Sequence, residues 1–238
     1  MPAQGGIHIS TSRAAFLRRK GTPVHNISAE SATNVAASGT SVTNSPRLRW
    51  RVVDIVVASV VGVAVGVVFW AWGVVWGPIS APIEALLPGL QAAPAALWVV
   101  AGVLGGLIIR KPGAALYTEL VAAVVSALIG SQWGGLLTIE AGLVQGLGAE
   151  LVFAIFLYRN WRLPVALLAG AGAGLAMAIN DLVLWYAGAA PAFATIYTIS
   201  AVVGGALIAG GLSWLAVRGL ARAGALDRFA AGRELREV

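Results

Sequence analysis

The sequence contains no cysteine, and its two histidines, His8 and His25, both lie in a polar N-terminal stretch. Disulfides and thiolate chemistry are therefore excluded. Without an imidazole, the apolar part of the chain cannot build Ser-His triads, His-activated nucleophiles or the usual zinc sites. Lysine is equally scarce. Lys20 sits in RRKGT and Lys111 in RKPG, and neither fits the Gly-x-x-x-x-Gly-Lys-Ser/Thr loop that cradles nucleotide phosphates. Charge of either sign is rare too, 11% of 238 residues, against about 25% in a soluble domain. What is there instead is apolar: 58% of the residues are hydrophobic. Several unbroken runs reach the ~18–20 residues that a bilayer-crossing helix needs. They do not alternate with a period of two, which argues against a β-barrel. The fold class is all-α, a polytopic membrane protein.

Residues 1–46 are rich in Ser, Thr, Ala, Asn and Gly and show no period, so they are expected as a disordered cytoplasmic tail. A functional tail and an upstream start codon chosen in error are about equally compatible with this composition. Six apolar segments follow, at about 52–76, 95–109, 114–129, 134–159, 163–187 and 198–217. The stretch between the first two, GPISAPIEALLPGLQAAP, carries four prolines and is expected as a loop. All sixteen Lys and Arg residues fall before the first segment, between the second and third, between the fourth and fifth, or after the sixth. With six spans these positions share one side, so the positive-inside rule predicts a six-transmembrane-helix bundle with both termini cytoplasmic. The net charge of +6 then reflects topology and contact with anionic lipid, not a nucleic-acid groove. Residues 223–238 are expected as a basic cytoplasmic C-terminal tail, read as a candidate amphipathic surface helix.

Small residues let membrane helices approach closely. Ala58, Gly62 and Gly66 form such a stripe on the first segment, and Ala166, Gly170, Gly174 and Ala178 on the fifth. The first stripe suits a partner interface and internal packing equally; for the fifth, packing is the simpler reading. The fourth segment is unusual because it carries Glu140, Gln145 and Glu150 in an apolar run. Carboxylates persist at such depth when they face a cavity, a partner or water. Glu119 and Glu150 lie at similar depth in the inner half and are expected as an inner polar pair holding two helices, with direct contact to substrate as the alternative reading. Asp54 is expected to be solvated or paired with a nearby Arg.

The outer half offers Glu84, Glu140 and Asp181 with Asn180, and the rings Trp133, Trp185 and Tyr197, but no Lys or Arg. An anion would meet uncompensated repulsion there. A cation or an aminated heteroaromatic would find carboxylates for its N–H groups and rings for its faces, each cation–π contact being worth about 0.5–2 kcal/mol. These residues are the expected substrate-binding set. The face of the fourth helix to which Glu140 points is left open, because Gly135, Gly142, Gly146 and Ala149 line the opposite face.

The opening WRVVDIVVASVVGVAVGVVFWAW, the turn KPGAALYTEL, the run VQGLGAELVFAIFLYRNW and AGAGAGLAMAINDLVLW together resemble the YkoE-type S-components of energy-coupling-factor (ECF) transporters. The resemblance covers about residues 49–222, within the six-helix transmembrane substrate-binding domain expected at 47–222. It implies a binding subunit, not an enzyme, for thiamine or its hydroxymethylpyrimidine precursor, at a site near the extracellular face closed by the loop after helix one. It also implies a membrane-embedded coupling protein, contacted by Ala58, Gly62 and Gly66, two cytoplasmic ATPases and a plasma-membrane location. No cofactor and no resident metal are expected. Three other readings stand beside it: an S-component for another vitamin, a self-sufficient proton-coupled carrier, and a membrane enzyme using Glu119 and Glu150 as an acid–base pair.

Overall fold

The computed structural model of the protein describes residues 48–233. The expected N-terminal tail and the last five residues lie outside them. The described residues form six apolar helices: α1 Val52–Leu86, α2 Ala92–Ile109, α3 Ala114–Ile129, α4 Gly135–Ile155, α5 Leu163–Leu184 and α6 Pro191–Arg222. A last helical turn, α7, covers Ala230–Arg233. Five of the six are long enough to cross a membrane, and α3 is shorter.

The proline-rich stretch after Trp76 is not a loop. It continues α1 to Leu86, with Pro78 and Pro82 inside the helix. Each proline removes one amide donor, but the two stand four residues apart on one exposed face, so no buried carbonyl loses its partner. At 1.5 Å per residue the 35-residue α1 is about 52 Å long, well beyond the ~30 Å hydrocarbon core.

Packing follows the small residues. The α5 stripe meets α6 backbone to backbone: a methyl group on Gly170 would collide with the Gly205 carbonyl, and one on Gly174 with the Ala201 carbonyl. At that contact α6 widens into a π-helical stretch, Gly205–Leu212. The α1 stripe is likewise consumed inside the bundle, which corrects the expected partner interface. Ala58 is fully buried. A Cβ on Gly62 would fall 2.7 Å from Val121 Cγ1, and one on Gly66 2.6 Å from the Ala122 carbonyl oxygen, both on α3. The face α1 leaves outward is valine-rich, with Val56, Val60, Val63 and Val67 exposed.

One end of the bundle is knotted by polar contacts. Lys111, in the α2–α3 turn, donates to the Arg49 carbonyl at 2.7 Å and pairs with the buried Asp54. Arg51 bonds the other Asp54 oxygen at 2.9 Å, and the Trp50 indole donates to the Pro112 carbonyl at 2.8 Å. The Glu150 carboxylate accepts the amides of Gly113, Ala115 and Leu116 at 2.6, 2.9 and 3.3 Å, and the Tyr158 hydroxyl at 2.7 Å. It thereby caps α3 from a neighbouring helix, satisfying donors that α3 itself leaves unpaired. Burial, with help from Glu150, holds the Tyr158 hydroxyl well above its ordinary pKa, so it stays a donor. Beyond α6 the chain folds back, burying Leu226, Phe229 and Ala231.

Because the Gly170 contact is backbone against backbone, Gly170→Ala is expected to cost about 1–3 kcal/mol and to lower the melting temperature in detergent by several degrees. Gly211→Ala, where a Cβ meets nothing nearer than 3.8 Å, is expected to leave it unchanged.

Candidate functional site

A cavity of about 350 Å³ opens between the helices at the end opposite the Lys111 knot. Its outer wall is α1, through Phe69, Trp70, Gly73 and Trp76, facing Trp98 of α2. The α3–α4 connection contributes Ser131, Gln132 and Trp133. Asp181 and Trp185 come from the last turns of α5, Tyr186 from the loop after it, and Tyr197 from the start of α6. The inner end is polar, with Glu119 of α3 and Gln145 of α4, and Ser126 stands two turns above Glu119 on the same α3 face.

Rings surround the mouth. Trp72, Trp76, Trp98, Trp133 and Trp185 form a chain with successive centroids 6.2, 4.8, 5.9 and 5.8 Å apart. The Trp98 indole donates to the Phe69 carbonyl at 3.1 Å, fixing α2 to α1 at the cavity wall. Tyr186, Phe193 and Tyr197 form a second cluster with centroids 4.9–5.6 Å apart. The Tyr197 hydroxyl donates to Asp181 at 2.7 Å, which aims that carboxylate. Burial raises the Tyr186 hydroxyl above its ordinary pKa; the Gln91 side chain opposes this, and the charges of Glu84 and Asp181 add to it.

Four members of the expected set, Trp133, Asp181, Trp185 and Tyr197, line the cavity together. Three do not. Asn180 donates to Glu140 at 3.3 Å, so these two tie α5 to α4 beside the site. The glycine face of α4 explains this: Gly142 and Gly146 press on α3 at Ala123 and Glu119, turning Glu140 toward α5. Glu84 sits exposed on the last turns of α1, acting on the tyrosine cluster by its charge alone. The expected inner pair is also corrected. Glu150 is fully engaged at the knotted end, whereas Glu119 lines the cavity and takes the Gly102 amide at 2.5 Å. Counting along each helix gives the two similar depth, but Glu150 caps the start of α3 while Glu119, a turn further on, turns to α2 and the cavity.

Sequence reasoning missed Trp98, Gln145 and Ser126 as lining residues. A signal existed for Gln145, which lies on the same buried face of α4 as Gly142, Gly146 and Ala149. Ser126 shares the α3 face of Glu119 at a spacing of seven. For Trp98 there was none beyond its helical register with Ala95 and Gly102.

A six-helix membrane bundle with a ring-lined, acidic cavity at one end has close relatives, and they are transport subunits. A family profile described as ABC-type cobalt transport system, permease component, matches residues 53–176. A solved protein, described as the crystal structure of an S-component of ECF transporter, superposes with a TM-score of 0.72 at 34% identity, over 79% of this chain and 94% of that one. The chain belongs to the S-components of ECF transporters: multi-pass plasma-membrane proteins that bind a substrate and associate with an ECF module, and that are not enzymes. Among individual relatives, it is 41% identical to the putative HMP/thiamine permease protein YkoE of Bacillus subtilis (strain 168). That match runs over 142 residues, 59% of this chain and 71% of that protein.

The buried acids at the two ends carry different consequences. Removing one partner of a buried ion pair typically costs about 3–5 kcal/mol. Asp54→Asn, which leaves Lys111 without its carboxylate, is expected to melt roughly 6–20 °C lower by thermal denaturation in detergent. Its ligand affinity, measured at a temperature where it is folded, is expected to equal that of the wild type.

Proposed function

We propose that this chain is the capture subunit for thiamine or its hydroxymethylpyrimidine moiety (HMP). It binds the ligand at the extracellular face and delivers it through an ECF module made of a membrane-embedded coupling protein and two cytoplasmic ATPases. The observation that carries this reading is the cavity itself: ring-walled, with the carboxylates Asp181 and Glu119 among its lining residues and no Lys or Arg. Its volume falls within the range of about 300–1,000 Å³ typical of small-molecule sites. A planar heterocycle gains ring contact from Trp133, Trp185 and Tyr197, and a cationic thiazolium gains from Asp181 and from the nearby charges of Glu84 and Glu140. Asn180 supports the site by holding Glu140.

Orientation supports the extracellular placement. Among the described residues the basic ones gather at the knotted end, and the positive-inside rule then assigns that end, with both termini, to the cytoplasm. The cavity then opens outward. With no nucleotide-binding loop of its own, the chain depends on partners for energy. Relatives described by cobalt transport raise a metal cargo as an alternative. Cobalt(II) sites commonly draw on nitrogen and sulfur donors, and the cavity lining offers carboxylates, two amides and hydroxyls, which suit an organic N–H donor better.

Isothermal titration of the purified chain, without ATP, is expected to show one-to-one binding of HMP or thiamine. Asp181→Asn and Trp133→Ala are each expected to weaken it at least tenfold, and absence of heat with both compounds would refute the assignment.

A further inference from the structure

The cavity lining includes a carboxylate with an oxygen that the protein leaves unpartnered. Glu119 is 1% exposed, and its two oxygens differ. One takes the Gly102 amide at 2.5 Å. The other, Oε1, is buried without any hydrogen-bond partner, although Glu119 lines the cavity. Gln145 is 7% exposed and lines the same end. Helix α4 touches the Glu119 stem at the next residue, Gly146, where an added Cβ would stand 3.0 Å from the Glu119 Cβ. Buried polar groups are nearly always satisfied, and an exception calls for an explanation. The cavity lining thus includes both a carboxylate with an unpartnered oxygen and an amide that can donate. The complement is a flat edge that presents an N–H beside a ring nitrogen.

We propose that Glu119 and Gln145 select the amino-bearing edge of the ligand ring, Glu119 Oε1 accepting from the exocyclic amine and the Gln145 amide donating to the adjacent ring nitrogen. This rests on the capture of an aminopyrimidine argued above and adds to it the end of the cavity where the pyrimidine is read. The Gly102 N–H occupies Oε2, so the ionised form of Glu119 leaves Oε1 as the acceptor that the ligand meets. An oxo analogue, with a ring N–H beside a carbonyl, places a carbonyl against that acceptor and is rejected. Rejection is strong when buried groups are left unpaired.

The substitution Glu119→Gln turns this into a reversal. The Gly102 amide holds the carboxamide oxygen, the NH₂ faces the cavity, and the cavity-facing atom becomes a donor. The experiment is calorimetric titration of full-length wild type and Glu119→Gln with HMP and with its 4-oxo analogue, alongside ligand-free melting curves. The wild type is expected to prefer HMP by at least a hundredfold. Glu119→Gln is expected to lose HMP at least tenfold and gain the oxo analogue, so that the preference inverts. A Glu119→Gln protein that keeps the wild-type preference, or that loses both compounds equally, overturns the inference while leaving capture of the vitamin intact. A wild type that binds neither HMP nor thiamine overturns both. Should Glu119→Gln not fold, Gln145→Leu carries the test. It is expected to weaken HMP at least tenfold and to leave unchanged the analogue in which that ring nitrogen is CH; equal losses overturn the inference.

Discussion

The architecture depends on a carboxylate from one helix closing the end of another. With 16 residues, α3 is about 24 Å long, shorter than the ~30 Å hydrocarbon core. Its first amides therefore lie where water is scarce, and an unsatisfied amide there costs several kcal/mol. Glu150 of α4 meets three of them, and Tyr158 completes the carboxylate. Once that end is fixed, the register of α3 is fixed. Glu119 then comes to the cavity's inner end, Ser126 two turns above it, and the small α1 stripe against Val121 and Val125.

Carboxylates thus have two fates in this bundle. At the knotted end two are spent: Asp54 on Lys111 and Arg51, Glu150 on amides and a phenol. At the open end the acids are only half spent. Asp181 has Tyr197, and Glu119 has Gly102 with one oxygen idle. Fully matched polar groups hold shape. Half-matched ones in a cavity are where a ligand completes the set.

Much of this was legible beforehand. Hydropathy gives six apolar segments, and the close-packing stripe on α5 reads directly from Gly170 and Gly174. Four residues of the cavity wall follow from asking where rings and acids coincide far from arginine. What failed is instructive. Depth along a helix does not say which way a side chain points, so Glu119 and Glu150 looked like partners. A small-residue stripe marks a close approach but not the identity of the neighbour, and for Ala58, Gly62 and Gly66 that neighbour is α3 of the same chain. Prolines were read as breakers, yet Pro78 and Pro82 lie on a face where a missing donor costs little. Glu140 turned away because the glycines of α4 claimed the opposite face.

The indoles around the mouth carry a consequence of a different kind. Trp72, Trp76, Trp98, Trp133 and Trp185 stand 4.8–6.2 Å from their neighbours in the chain. Rings this close exchange excitation energy by dipole coupling, so the fluorescence of any one indole depends on its neighbours. A ligand that touches one of the five would therefore register in the emission of the whole row.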